Sequence, residues 1–275
     1  MSAAPGQQKV PRTASPQGAG EKRKLCLLPA NLQGIGRREG QEDAFAFVNA
    51  LDPEAIEKQG LLAVVADGMG GMLGGRTASQ TVTASLVESF RRFDADADPA
   101  EALRQAVRGA NAAVFQKLRG RGGSTVAAAL IRDGKLYFVS VGDSYLFLLH
   151  DRVLIRLNRS QNVLSCELLD SMLTGRPGLR EAWENPERDA ITQFVGVEEL
   201  EETDALRRPL ALSAGDVLLL CSDGVGAVLA PDTVEKCLSH GAPEDMCAAL
   251  EREIRKRDLK YQDNYTALVI QCREE

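Results

Sequence analysis

Between residues 124 and 157 the chain packs four short, mostly apolar runs, 124–130, 136–141, 145–149 and 153–157. The turns between them are Asp133-Gly134, Gly142-Asp143-Ser144 and His150-Asp151-Arg152. Connections this short cannot carry a strand back for parallel pairing, so the spacing predicts an antiparallel meander. The flanking patterns differ. Residues 61–66 form a continuous apolar run of strand length. Two helical periodicities follow, at about 76–93 (Ala78, Val82, Leu86, Phe90) and 100–118 (Leu103, Val107, Ala110, Val114). After the meander come an irregular helical stretch at about 162–188, a strand at 216–221, helices at about 231–240 and 243–256, and a strand at 266–271. This order predicts an α+β layered domain and disfavours an alternating parallel α/β sheet.

Composition narrows the function classes. The 275 residues are 44% hydrophobic and 26% charged, which is ordinary for a globular chain of one large or two small domains. A formal net charge of -6 argues against a nucleic-acid binder that relies on phosphate contacts. The six cysteines show no zinc or disulfide spacing and read as small buried hydrophobes. His150 reads as a turn residue and His240 as a helix end, which leaves no histidine-based triad. No apolar stretch is long enough for a bilayer. The run after Lys22-Arg23-Lys24 stops at Pro29, too short for a signal-peptide core, so a cytoplasmic protein without membrane partners is expected. Residues 1–24 are rich in Ala, Pro, Gly, Gln and Ser and are expected to form a flexible tail ahead of a domain at 25–275.

Five aspartates stand in short phrases, most of them glycine-flanked: Gln41-Glu42-Asp43, Ala66-Asp67-Gly68-Met69-Gly70-Gly71, Val141-Gly142-Asp143-Ser144, Cys221-Ser222-Asp223-Gly224 and Asp263-Asn264-Tyr265-Thr266. Several follow apolar runs. A carboxylate at a strand end is held rigidly, and several together make the hard oxygen cluster that magnesium or manganese needs. Two such ions form a phosphate-cleaving centre. The glycines from Gly68 to Gly75 cost backbone entropy that close approach to a ligand would explain. Other motifs are weaker. Gly70-x-x-x-x-Gly75-Arg76-Thr77 nearly matches a P-loop, but Arg76 replaces the lysine. Asp94-x-Asp96-x-Asp98 runs into Pro99 where a calcium loop needs glycine. Gly34-x-Gly36 lacks a third glycine and a preceding strand. Position alone does not choose between Arg37 and Arg38 as a phosphate partner.

Taken in order, seven phrases resemble the metal-dependent protein serine/threonine phosphatases of type 2C, in their bacterial form. They are Arg38-x-x-Gln41-Glu42-Asp43, Val65-Ala66-Asp67-Gly68-Met69-Gly70-Gly71, Gly122-Gly123-Ser124-Thr125, Val141-Gly142-Asp143-Ser144, Ala190-Ile191-Thr192-Gln193-x-x-Gly196, Leu219-Leu220-Cys221-Ser222-Asp223-Gly224 and Asp263-Asn264-x-Thr266. The resemblance implies a four-layer α-β-β-α sandwich of two antiparallel sheets flanked by helices. It implies two Mn2+ or Mg2+ ions, with a weaker third. By position, Asp67 bridges the two ions and the Gly68 carbonyl completes one site. Asp223 and Asp263 ligate the other ion, Asp43 and Glu42 hold metal-bound waters, and Asp143 with Asp223 supplies the third site. Arg38 stands where the phosphate-binding arginine stands. The implied reaction is in-line attack on phosphoserine or phosphothreonine of proteins by a metal-bridged hydroxide. Cys221 and Ser222, with no base beside them, receive no nucleophile role. Substrates phosphorylated by a serine/threonine kinase and a monomeric enzyme are expected.

Three positions depart from the pattern. Arg159-Ser160-Gln161-Asn162 replaces an Asp-His-Ser phrase, Gln193 stands for a common arginine, and Met72 for a common histidine. These flank the cleft, so altered substrate handling or rate is expected before loss of activity. A catalytically weak phosphatase-like binding or regulatory domain is the alternative. The stretch at about 162–188 corresponds to the family's variable flap, where Leu179 and Trp183 are expected to pack, with substrate contact as the other option.

Overall fold

The computed structural model of the protein describes residues 25–69, 74–94, 96–175 and 178–275. The expected tail, and Gly70, Gly71 and Met72 of the glycine-rich phrase, lie outside the described residues. The first elements are β1 (Leu25–Gly34), β2 (Ala44–Val48), α1 (Pro53–Gln59), β3 (Leu61–Ala66), α2 (Gly75–Arg91) and α3 (Pro99–Leu118). Next come β4 (Val126–Arg132), β5 (Lys135–Val141), β6 (Tyr145–His150), β7 (Val153–Arg156), α4 (Val163–Thr174) and α5 (Leu179–Glu184). The last are β8 (Asp204–Ala205), β9 (Leu210–Ala211), β10 (Val217–Cys221), α6 (Asp223–Gly226), α7 (Pro231–Leu238), α8 (Pro243–Arg257) and β11 (Tyr265–Glu274).

Strand alternation builds the layers. In β3, Leu61, Ala63 and Val65 face the other sheet, where Leu218, Leu220, Leu268 and Ile270 meet them. Leu62, Val64 and Ala66 point the other way, onto Val82, Leu86 and Phe90 of α2 and Leu103 and Val107 of α3. With both faces covered, every residue of β3 is buried, which is why its sequence is apolar without alternation. On the far side Val217, Leu219 and Val269 meet Val234, Met246, Leu250 and Ile254 of α7 and α8. The result is the expected α-β-β-α sandwich. One sheet runs β1-β11-β10-β6-β7 and the other β2-β3-β4-β5, with β8 and β9 both paired to β5. Each fully buried leucine contributes about 1.5–3 kcal/mol by leaving water.

The meander is corrected. β4 pairs β5, and β6 pairs β7, but the two hairpins belong to different sheets. The chain crosses at Gly142-Asp143-Ser144. A short connection forbids parallel pairing but does not force the next strand into the same sheet. Gly142 has φ +97, and a Cβ there would meet the Thr125 side chain at 2.8 Å. Four strands were also missed, β1, β2, β8 and β9, and Gly34-x-Gly36 begins at the last residue of β1. β1 is an edge strand, which is why it tolerates Pro29, whose missing N–H would break a central ladder.

Smaller features follow local chemistry. Asp98 caps α3 by accepting from the Ala100 N–H, and Pro99 starts the helix, so the aspartate run is a loop and a cap. His150 ends β6, with Nδ1 2.7 Å from Asp216 Oδ1. Of the six free cysteines, Cys221, Cys237, Cys247 and Cys272 are buried, Cys26 is half-buried and Cys166 is exposed. α4 buries none of its residues, and Leu179 and Trp183 are 61% and 60% exposed, so neither packs as expected. Among the described residues no helix is long and apolar enough to cross a membrane.

Candidate active site

Register gathers the aspartates at one end of the sandwich. Ala44 pairs with Ala66, Val126 with Val141, and Cys221 with both Ala267 and Tyr145. Asp43 precedes β2, Asp67 follows β3, Asp143 joins β5 to β6, Asp223 follows β10 and Asp263 precedes β11. All five therefore lie on one rim. A cleft of about 280 Å³ opens there, lined by Arg38, Glu42, Asp67, Gly68, Asp143, Asp223 and Asp263, with Met69, Thr125 and Ile191. Asp43 is buried at 6% exposure.

Hydroxyls and amides fix these carboxylates. The Asp67 N–H donates to Thr125 Oγ1 at 3.1 Å, and its carbonyl accepts from Thr125 N–H and Ser124 Oγ. Asp43 Oδ2 accepts from Ser222 Oγ at 2.8 Å and Thr266 Oγ1 at 2.7 Å. Asn264 ties the rim together: Oδ1 accepts from Glu42 N–H, and Nδ2 donates to the carbonyls of Ile35 and Gly40. Gly68 allows close approach, since a Cβ there would stand 2.4 Å from the Gly75 carbonyl oxygen. Thr125, Thr266 and Asn264 sat in the quoted phrases without a role, because small polar residues carry no signal until their partners are known.

The electrostatics are those of crowded negative charge. Burial pushes Asp43 up to about 6, aided by the charge of Asp223. Burial and then Asp223 push Asp143 up to about 7. Asp67 rises well above the carboxylate range through burial and then through Asp43 and Asp223. Asp223 rises through burial and the neighbouring Asp263. Arg38 Nη2 lies 2.5 Å from Asp263 Oδ2, and that bond raises the guanidinium.

This donor set suits hard divalent cations. Among the described residues, Asp43 Oδ1 and Asp223 Oδ1 are buried and have no hydrogen-bond partner. A buried carboxylate oxygen without a donor calls for a cation. Among the described residues, no three His, Cys, Asp or Glu side chains already stand as a ligand cage. The carboxylates ring the cleft instead, and Arg38 holds Asp263.

Other readings are settled by geometry. Arg37 pairs with Asp258 at 2.9 Å and is not among the cleft-lining residues, so Arg38 is the cleft arginine. β3 lies between antiparallel β2 and β4, and Arg76 Nε donates to the Gln41 carbonyl, so the segment is no P-loop. Ser222 does have a base beside it, Asp43, contrary to the sequence reading. Its hydroxyl is fully buried and also accepts from Thr266 N–H. Burial pushes the Cys221 thiol far up.

Residues 37–262 match the family model for protein phosphatase 2C, and the chain belongs to that family. It is 32% identical over 198 residues to the serine/threonine protein phosphatase PstP of Mycobacterium tuberculosis, covering 70% of this chain but only 37% of that protein. The Listeria monocytogenes serine/threonine phosphatase stp is 30% identical over 186 residues, covering 64% of this chain and 71% of its own length. Among solved structures, the catalytic domain of PstP in complex with two manganese ions superposes with a TM-score of 0.71 at 25% identity, covering 91% of this chain and 100% of that one.

Proposed function

We propose that the chain hydrolyses phosphoserine and phosphothreonine in proteins, using two manganese or magnesium ions held by the rim. The observation that carries this reading is the acidic cleft itself, where, among the described residues, two buried carboxylate oxygens lack a donor and Arg38 is the arginine that lines the cleft. When bound, the ions would acidify a water toward hydroxide and draw charge from the phosphoryl oxygens. Asp67 and the Gly68 carbonyl would hold one ion, with Asp67 shared by the second. Asp223 and Asp263 would hold that second ion. Asp43 and Glu42 would act through waters, and Asp143 with Asp223 would serve a weaker third ion.

Arg38 takes the phosphate. Its side chain is half exposed and presents a planar fork to a phosphoryl group once Asp263 turns to a cation. Ser222 stays a buried hydrogen-bonding post, so water is the nucleophile and no phosphoenzyme forms. Residues 25–275 act as the catalytic domain, 162–188 as its flap and 1–24 as a tail. A monomeric cytoplasmic enzyme acting on the products of a serine/threonine kinase completes the reading.

The test is phosphate release from a phosphothreonine peptide and a small aryl phosphate, with and without manganese, beside Asp223→Asn. Manganese-dependent turnover that the variant abolishes is expected. No turnover by folded, manganese-loaded protein would sink the enzyme and leave a binding or regulatory domain.

A further inference from the structure

Gln161 lies in the stretch that departs from the family resemblance, and it is buried at 3% exposure. Its contacts converge on the point where the chain leaves one sheet for the other. Its backbone N–H donates to the Gly142 carbonyl at 3.0 Å, and its side-chain Oε1 accepts from the Gly142 N–H at 2.8 Å. Both polar groups of Gly142 are thus satisfied by one residue. Asp143 is next in the chain and lines the cleft. Its other neighbour, Ser144, is held as well. Ser144 Oγ lies 2.7 Å from Thr125 Oγ1, which accepts from Asp67 N–H. The Ser144 carbonyl accepts from Asn158 Nδ2 at 2.8 Å.

Gln161 also stands at the root of the flap. Its carbonyl accepts from Thr192 N–H at 2.9 Å, where the chain returns from α5. Its Nε2 donates to the Glu202 carbonyl at 3.4 Å. The next residue, Asn162, caps α4 by accepting from Ser165 N–H and bridges to Ile191 of the cleft. One residue therefore joins the outgoing flap, the returning flap and the turn that carries Asp143, its side-chain amide serving Gly142 and Glu202 and its backbone serving Gly142 and Thr192.

We propose that Gln161 is a positioning residue that holds the Gly142-Asp143-Ser144 crossing, aims the Asp143 carboxylate into the cleft, and ties that aim to the flap root. The inference rests on the reading of Asp143 as part of the cation centre. A glutamine suits the task because only an acceptor and a donor on one amide serve Gly142 and Glu202 together. Partners one step removed from a cation typically change its affinity by about 10–100-fold when lost.

The test is a manganese titration of the full chain by calorimetry, for wild type, Gln161→Met, Asp143→Asn and the double variant. Gln161→Met keeps the volume and removes both side-chain hydrogen bonds, leaving the backbone bonds to Gly142 and Thr192. The weakest resolved manganese step is expected to weaken roughly 10-fold in Gln161→Met, with the tighter steps unchanged. Asp143→Asn should weaken the same step, and adding Gln161→Met to it should change nothing more. An unchanged titration for folded Gln161→Met overturns the proposal. So does an effect that persists undiminished in the Asp143→Asn background, or an Asp143→Asn protein that binds manganese like wild type. If Gln161→Met does not fold, Gln161→Asn withdraws the acceptor by one methylene and is read the same way. Normal manganese binding without turnover would count against the phosphatase reading and leave this titration interpretable.

Discussion

The aspartate rim and the flap are both leucine-rich, and they use their leucines in opposite ways. The strands that end at the rim bury theirs completely: Leu61, Leu62, Leu218, Leu219 and Leu220 are all at 0% exposure. In α4, Met172 and Leu173 are each 78% exposed. A rim carboxylate is thus placed by strand register on two covered faces, and its position is over-determined. The flap is placed mainly by its roots, through Asn162, Gln161 and the Val163–Ala190 backbone bond. On the proposed reading, chemistry that must be exact would sit on the first region, and adaptable contact would be left to the second.

The largest effect should come from the rim. Asp67→Asn is expected to lower manganese-dependent kcat/KM by roughly 10²–10³-fold or more. The same change removes a carboxyl whose ionisation burial and the neighbouring aspartates oppose, so the metal-free variant should melt higher, by about 2–4 °C for each kcal/mol gained. A variant that loses activity by unfolding would break the comparison. Next, Leu219→Ala should cost about 2–5 kcal/mol in urea unfolding, because the cavity lies between β10 and the helices over it.

A pH dependence follows from the crowding. Asp43 at about 6 and Asp143 at about 7 are raised in the folded state. Between about pH 4, where a free aspartate ionises, and those values, the folded metal-free protein holds protons that the unfolded chain has released. Its stability therefore falls as pH rises through this window. Chemical unfolding of chelated protein at pH 5.5 and 7.5 checks the sign, with the higher stability expected at 5.5. The smallest effect belongs to the flap, where Leu173→Ala should change unfolding free energy by less than about 0.5 kcal/mol. A cost comparable to Leu219→Ala would show that α4 is packed after all.

Much of this contrast was legible before any coordinates. The 61–66 run and the helical periods at 76–93 and 100–118 fall on β3, α2 and α3 within a few residues. Legibility failed where local sequence carries no sign of its partner. β1 holds a proline and has only a weak alternation, and it is a strand because β11 offers an edge to pair with. The crossing at Gly142 depends on which sheet receives β6, which no local pattern states. The acidic phrases were visible as phrases, whereas the hydroxyls of Thr125, Ser222 and Thr266 and the amide of Gln161 gained meaning only from their partners. In α4 the apolar residues imply burial, and the structure leaves Leu169, Met172 and Leu173 in solvent and none fully buried, because no layer of the sandwich covers the helix.

The most direct measurement is the manganese stoichiometry of the metal-free protein, set beside that of Asp67→Asn. Two tight sites in the wild type, with both impaired by the single substitution, are what a shared carboxylate on a preassembled rim predicts. No saturable binding, or two sites indifferent to Asp67, would contradict the account.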